Sequence, residues 1–464
     1  MTRHHLTLLA AACVLLAGCG SLVPATDKIA PPLRENFRPG TTPADTTAGA
    51  AHEWEGFFAD ARLRQVVGIA LAQNRSLRAS AAAVERVRAQ HRITESDRLP
   101  HVNAGAALTR QQAAGGATTN SYSVNLGLAS YEIDFFNRLG SLEGAALARY
   151  LAQQETQRSA QLSLVAEVSN AWLALATEQQ RLILAQQLRD SQQRTMALTD
   201  QRHQLGAASG LERARARTAF EAARGEATRA LGAVTQARLA LELLAGQPLP
   251  DTLLPVAQDL QPVTALPAIP AGLPADVLLQ RPDLRAAEQQ LQAAAFDVGA
   301  ARAARFPRLT LTASAGTRSP ELDGLFKSGT GFWSVMPQLD LPLFDGGARA
   351  AQVDASDASR RQALATYEGA LQSAFREVAD ALAVRDGLAE RLDAQQAQVT
   401  TAAQSLRYAE DSYRLGGSSQ LELLDAQRQL AAAQQALVTL RQTEQANRVT
   451  LLRALGGRWV PGGG

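Results

Sequence analysis

Arg98-Leu99-Pro100 returns later in the chain as Arg305-Phe306-Pro307, and Leu77-Arg78-Ala79 returns at the same offset as Leu284-Arg285-Ala286. Further along, Glu167-Val168 matches Glu377-Val378, Gly206 matches Gly416, Leu211-Glu212 matches Leu421-Glu422 and Gly246 matches Gly456, with only a small drift in spacing. Such self-similarity marks an internal duplication, so the fold must use one structural unit twice. Between the copies, Pro248, Pro250, Pro255, Pro262, Pro267, Pro270 and Pro274 disfavour both regular helix and central strand. Residues 251–280 therefore read as a linker between a first repeat at 61–250 and a second at 281–458, with a short tail at 459–464.

Each copy holds a pair of segments with β character, at about 99–136 and 306–344. In the first pair, Leu99 to Arg110 and Tyr122 to Phe135 partly alternate apolar with small or polar residues (Tyr122, Val124, Leu126, Leu128) around a Gly, Ala and Thr turn. In the second, Leu309 to Ala313 and Trp333 to Leu343 do the same. Both pairs read as hairpins. Strands of about 10 to 12 residues suit a transmembrane barrel, with Tyr122, Tyr131, Phe135, Phe136, Phe306, Phe332, Trp333 and Phe344 as interfacial aromatics, or a soluble four-stranded sheet.

The rest is helical and long. From about Ser141 to Gln204 there is no Pro and almost no Gly, with apolar residues recurring at three and four (Leu164, Val168, Ala171, Trp172, Leu175). At about 1.5 Å per residue such a stretch makes a rod of roughly 90 Å. A second rod is expected from about Arg349 to Leu415, and shorter partners from about Leu211 to Ala245 and Gln420 to Leu455. High Ala content with Gln, Arg and Glu suits close coiled-coil packing with one wet face. The overall expectation is a mixed α and β fold built from a duplicated helix pair and strand pair, the strands either transmembrane or in a soluble sheet.

The chain opens with Arg3, His4 and His5, an apolar run from Leu8 to Leu16, and Ala17-Gly18-Cys19, the layout of a secretory signal over residues 1–18. Leu16-Ala17-Gly18-Cys19 resembles a bacterial lipobox, in which Cys19 takes a palmitate-type lipid, and Gly20 in place of Asp points to the outer membrane. Residues 19–60 then form the lipid anchor and an extended segment held by Pro24, Pro31, Pro32, Pro39 and Pro43. With Cys13 removed and Cys19 acylated, no thiol is left for a disulfide, a metal or catalysis.

Composition narrows the function further. Among 464 residues, 46 Lys and Arg nearly balance 44 Asp and Glu, and the charges alternate along helix faces, which argues against a nucleic-acid partner. His52, His91, His101 and His203 form no metal-ligand spacing, and Gly115-Gly116 lies in a turn rather than before a phosphate-binding helix. The expectation is no enzyme, no metal and no cofactor beyond the lipid on Cys19.

Four strands cannot close a barrel, and an open sheet edge cannot sit in lipid, so membrane strands would have to be shared between chains. A dimer would supply 8 and a trimer 12. The order of elements resembles the outer-membrane efflux family of TolC-like and OprM-like proteins, with the lipoprotein layout of its NodT-type members. Arg281-Pro282-Asp283-Leu284-Arg285-Ala286-Ala287-Glu288 is similar to the second-half entry motif of that family. Tyr131-Glu132-Ile133-Asp134-Phe135-Phe136-Asn137-Arg138-Leu139 and Pro342-Leu343-Phe344-Asp345-Gly346-Gly347 are similar to its strand-to-helix junctions, with Asn137 where members commonly carry Gly.

The resemblance implies a homotrimer with a 12-stranded β-barrel in the outer membrane continuing into a periplasmic α-helical barrel. Its implied partners are a periplasmic adaptor and an inner-membrane pump of the resistance-nodulation-division type. The chain would be a passive exit duct for drugs or other small molecules. The turns at Gly206 and Ser209 and at Gly416 and Ser419 would be the tips where the adaptor docks. Glu422 and Asp425, three apart on one helix face, would ring the periplasmic constriction, and Tyr413 with Glu212 would link neighbouring coiled coils in the closed state. A protein-secretion duct is the sibling reading, and a non-porating, lipid-anchored coiled-coil scaffold the reading from another class.

Overall fold

The computed structural model describes residues 22–25, 54–112, 114–256, 262–264 and 275–457. The signal at 1–18, Cys19 and the tail at 459–464 lie outside them, as does most of 19–60. The elements, in chain order, are α1 (Ala61–Gln73), α2 (Arg75–Ser96), β1 (Val102–Gln112), β2 (Thr118–Ile133), α3 (Arg138–Gln204) and α4 (Gly210–Ala245). The second half repeats them as α5 (Pro282–Ala303), β3 (Arg308–Ser319), β4 (Gly331–Asp340), α6 (Ala348–Arg414) and α7 (Gln420–Ala454). Both long helices, α3 and α6, have 67 residues, as a duplication requires. None of the described helices is long and apolar enough to cross a membrane.

The chain divides into two compact units that cut across the repeats. One gathers Met1–Pro31, Ala82–Thr156 and Asp283–Ala370; the other gathers Pro32–Ala81, Gln157–Pro282 and Leu371–Gly464.

The first unit carries all four strands in one antiparallel sheet of order β1-β2-β3-β4, so the hairpins of the two repeats join through β2 and β3. Several expected strand limits move: β1 begins at Val102 rather than Leu99, and β3 continues past Ala313 to Ser319. β2 begins at Thr118, within what reads as a turn, because its polar start pairs with the polar end of β1 and ladder hydrogen bonds need no apolar side chain. β4 stops at Asp340 rather than Leu343.

Below the sheet, Asp134 starts α3: its carboxylate accepts from the Arg138 N–H at 2.6 Å and the Gly140 N–H at 2.9 Å. Asn137 has φ 57°, and Asn is among the few side chains that tolerate the left-handed region. In the second repeat Asp345 does the same work for α6, accepting from the N–H groups of Gly347 and Arg349 at 3.0 and 3.2 Å.

The second unit holds the main apolar core. Phe57, Phe58, Leu63, Val66, Val67, Leu164, Val168, Trp172, Leu175, Leu241, Val449 and Leu452 pack together, each nearly or fully buried. Burial of a side chain of this size stabilises by about 1.5–3 kcal/mol, and both repeats contribute to the cluster. The linker is not wholly irregular: Asp251–Leu253 and Ala275–Gln280 form short 3-10 turns, and Thr264 bridges to Phe58 and donates to Gln445 at 2.8 Å. Arg281, buried at the head of the entry motif, donates to the Ala454 carbonyl at 3.1 Å and to Glu377 at 3.0 Å, and so closes the end of α7. Pro282 follows at the first position of α5, where a missing N–H costs nothing.

In the first unit, Leu22 and Val23 lie on α5. A Cβ at Gly299 would stand 2.6 Å from Val23 Cγ2 and 3.1 Å from Ser141 Oγ, so Gly299 is the notch that admits the N-terminal segment. Gly299→Ala should lower the thermal unfolding midpoint, by an overpacking cost of about 1–3 kcal/mol. Adding Val23→Ala should recover most of it, and no recovery in the double variant would count against the notch.

Candidate functional site

The strand register sorts the side chains by face. In an antiparallel sheet, residues directly opposite one another share a face and successive residues alternate. Starting from Trp333, Val335, Pro337 and Leu339 on β4, the partners on β3 are Ala315, Ala313, Leu311 and Leu309. Their partners on β2 are Leu126, Leu128, Tyr131 and Ile133, and β1 adds Val102, Ala104, Ala106 and Leu108 opposite Leu128, Leu126, Val124 and Tyr122. One face is thus apolar from edge to edge.

The parity on β2 switches from even to odd between Leu128 and Tyr131, where the register shifts and Ser130 has φ 50°. This bulge absorbs one residue and returns Tyr131 and Ile133 to the apolar face. Without it, the lower third of β2 would put Glu132 among the apolar side chains instead.

The opposite face is largely polar or small: Asn103, Gly105 and Thr109; Ser121, Ser123, Asn125 and Gly127; Thr310, Thr312 and Ser314; Ser334, Gln338 and Asp340. Ser314 and Ser334 share a hydrogen bond of 2.8 Å across it. Phe332, expected among the interfacial aromatics, lies on this polar face with the Arg318 guanidinium 4.7 Å over its ring. Phe136 and Phe306 stack at 4.6 Å beside the strand ends.

On the apolar face, many of the side chains stand uncovered among the described residues. Trp333 is 78% exposed, Leu339 67% and Leu126 60%. A monomer in water rarely leaves so continuous an apolar surface open, so this face is built to meet another apolar phase. The strands, 10 to 16 residues long, are long enough to span a bilayer core when tilted. Among the described residues, both β1 and β4 keep an open edge.

The helix turns form the second part of the site, and both repeats solve the same problem in the same way. α3 ends with Gly206 at φ 73° and an Ala207 N–H to Arg202 carbonyl bond of 2.7 Å; α6 ends with Gly416 at φ 78° and a Gly417 N–H to Ser412 carbonyl bond of 2.8 Å. This is a Schellman closure, which requires a residue in the left-handed region. Ser209 and Ser419 then start the next helices in full capping boxes: the Ser hydroxyls accept from the N–H groups of Glu212 and Glu422, and those carboxylates accept from the Ser N–H groups at 2.6 and 2.8 Å. Leu205, Leu211, Leu415 and Leu421 stand exposed around the turns.

The expected site residues are thus brought to two equivalent turns, with local roles of their own. Glu422 caps its helix. Asp425, half-buried, accepts from Arg428 at 3.0 Å and Gln429 at 2.6 Å. Tyr413 is buried in the last turn of α6, and among the described residues no hydrogen bond joins it to Glu212; its ring lies under the Arg202 guanidinium at 4.9 Å.

Sequence reading missed a polar seam. Gln427 accepts from Gln192 at 2.9 Å and donates to Ser191 at 3.0 Å and Thr195 at 3.3 Å, and Gln420 donates to Thr199 at 3.3 Å. Gln420 and Gln427 are seven residues apart, a heptad step that could have flagged one shared helix face.

The Glu212 carboxyl is held below its ordinary value of 4.5, first by the bond from the Ser209 N–H, then by the Ser209 hydroxyl, with help from the charges of Arg202 and Arg215. A lowered folded-state value means that the ionised cap adds stability above the ordinary carboxylate range and loses it as pH falls through the lower folded value. Amide protection factors at the start of α4, taken relative to the intrinsic exchange rate at each pH, should therefore fall between about pH 5 and pH 3. Glu212→Gln, which can still cap, should remove that dependence; an unchanged acid response in the variant would show that Glu212 is not its source.

Against known proteins, the chain matches the family model for outer membrane efflux proteins over residues 66–247 and 273–457. It is 42% identical to the probable efflux pump outer membrane protein SepC of Pseudomonas putida, over 99% of this chain and 98% of that one. It is 35% identical to the probable outer membrane lipoprotein SilC of Salmonella typhimurium, over 96% and 97% of the two chains. The solved open-state MtrE outer membrane channel of Neisseria gonorrhoeae superposes with a TM-score of 0.83 at 35% identity, covering 94% of this chain and 98% of that one. An apolar strand face and paired capped helix turns are thus the parts of an efflux channel subunit, and the chain belongs to the outer membrane efflux protein family.

Proposed function

We propose that three copies of the chain close their open β1 and β4 edges against one another into a 12-stranded barrel, with the apolar face to lipid and the polar face lining a water-filled pore. The observation that carries this is the edge-to-edge apolar face kept intact by the Ser130 bulge. Closure gives every edge N–H and C=O a partner, which a bilayer core demands. Three chains of four strands satisfy it.

In this reading the long α3–α4 and α6–α7 helix pairs form an α-helical barrel in the periplasm. The turns at Gly206, Ser209, Gly416 and Ser419 receive a periplasmic adaptor, with the exposed Leu205, Leu211, Leu415 and Leu421 supplying apolar contact. An inner-membrane pump of the resistance-nodulation-division type provides the energy. The duct catalyses no reaction and needs no cofactor, and a lipid on Cys19 anchors the N-terminus in the outer membrane. Its cargo is drugs or other small molecules.

Glu422 and Asp425 of three chains form the acidic ring at the narrow entrance, and Tyr413 and Glu212 stand at the joint that opens it. Such a ring attracts cations and repels anions. The test is mass and single-channel conductance of the detergent-purified protein in a planar bilayer. A trimer with discrete openings is expected; a monomer without conductance would overturn the reading.

Glu422→Gln with Asp425→Asn removes the charge, and Gln at 422 keeps the capping box. The pair should reduce cation selectivity and relieve block by divalent cations. Unchanged selectivity would move the constriction elsewhere.

A further inference from the structure

The polar face of the sheet ends in an unbalanced charge. β2 runs into α3 and β4 into α6, so Arg318, the last residue but one of β3, stands at the end of the sheet away from the helices. Pairing with Ser123 puts it on the polar face, and its N–H donates to the Thr330 carbonyl at 2.9 Å. Among the described strand residues, that face carries no further charge until Arg308, Glu132 and Asp340 at the helix end. There the signs are mixed, with Arg308 3.9 Å from Glu132 and directly opposite Asp340. Arg318 has no such counter-charge: it forms no ion pair among the described residues, and Asp323 in the neighbouring turn is engaged by Lys327 at 3.5 Å.

The partner of Arg318 is an aromatic ring. Its guanidinium carbon lies 4.7 Å from the centroid of Phe332 on the same face. Phe332 pairs with Gly316, where a Cβ would stand 2.1 Å from the Val124 carbonyl oxygen, so the ring has bare backbone opposite it. A guanidinium over a ring is held through its plane and keeps its charge and its N–H donors. The planar fork of those donors matches carboxylate, phosphate and sulfate oxygens. Arg318 is exposed, so the fork is open to solutes, and the ring reduces the freedom that an anion has to take from it on binding.

We propose that Arg318, fixed on the Phe332 ring, is an oxyanion-binding site at the outer exit of the duct, and that its three copies make this mouth favour solutes bearing carboxylate, phosphate or sulfate groups. The exit role rests on the trimeric barrel proposed above. Twelve strands about 4.8 Å apart and tilted by about 40° give a wall roughly 24 Å across. A solute leaving through it passes within about one Debye length, ~10 Å at 0.1 M salt, of a guanidinium. The sign is opposite to that of Glu422 and Asp425, so the two ends of the duct discriminate in opposite senses.

The test uses the full-length protein in planar bilayers at about 0.1 M salt, where screening leaves fixed charge visible. Two quantities are read: the reversal potential in a salt gradient, and block by tripolyphosphate added to one chamber at a time. Wild-type current should be blocked from the sheet side. Arg318→Gln should need on the order of tenfold more tripolyphosphate, the weight of one charge-assisted hydrogen bond, and should move the reversal potential toward cations. Arg318→Lys should keep the reversal potential and lose part of the block, because an ammonium has no fork. Phe332→Leu should raise the blocking concentration about two- to five-fold, the weight of an exposed cation–π contact.

The site is overturned if Arg318→Gln keeps wild-type block and reversal potential, or if Phe332→Leu blocks as wild type does. Block that Arg308→Gln abolishes and Arg318→Gln leaves intact would place anion binding at the helix end of the sheet and overturn it too. Wild-type protein that does not conduct would refute the channel reading and the exit role with it. Conducting protein in which Arg318→Gln behaves as wild type would refute the exit site alone.

Discussion

A β-strand edge presents N–H and C=O groups that hydrocarbon cannot satisfy, and this restriction governs how the chain can be used. The four strands share an apolar face from Val102 on β1 to Leu339 on β4, yet the sheet ends in two open edges. The apolar face asks for lipid and the edges forbid it unless they are paired. In the proposed channel, sharing the sheet between copies of the chain resolves the conflict, and the duplication provides half of each chain's share twice. The Ser130 bulge matters for the same reason, since one residue out of phase would turn Glu132 toward the lipid.

The helical part obeys a different restriction. Ala-rich helices pack closely, but a purely apolar seam between long rods leaves their axial register poorly fixed. Buried polar side chains fix register at some cost in stability. Gln192, Gln420, Gln427, Thr195 and Thr199 supply such a seam near the turns, and the Arg202–Tyr413 contact lies just beyond it. The turn end of the helix pairs is thus held by hydrogen bonds and a cation–π contact. The larger apolar core, around Leu63, Trp172 and Val449, lies elsewhere in the same unit.

Much of this is legible in the residues. The long helices declare themselves by the absence of Pro, and the turns by Gly206 with Ser209 and Gly416 with Ser419, whose roles follow from backbone chemistry. The two strand pairs are visible from alternation. Their limits are less so, because Thr118 to Ser121 pair as strand while looking like a turn. The bulge is written in the sequence as a change of phase between Leu128 and Tyr131, but a phase change reads equally as a strand end until the β3 register is known. Pairing of β2 with β3 joins residues almost two hundred positions apart, which no local pattern reveals. The same distance hides the Arg202 contact with Tyr413: each alone reads as an ordinary helix residue.

Single cysteines along β2, probed in the membrane with a lipid-soluble and a water-soluble thiol reagent, give the sharpest measurement. Val124→Cys, Leu126→Cys and Leu128→Cys should react with the lipid-soluble reagent, and Ser123→Cys, Asn125→Cys and Gly127→Cys with the water-soluble one. Past the bulge the phase should invert, so that Tyr131→Cys and Ile133→Cys join the lipid set and Glu132→Cys the aqueous set. Alternation that continues unbroken through Ser130, or water access at every position, would contradict a lipid-facing sheet in this register.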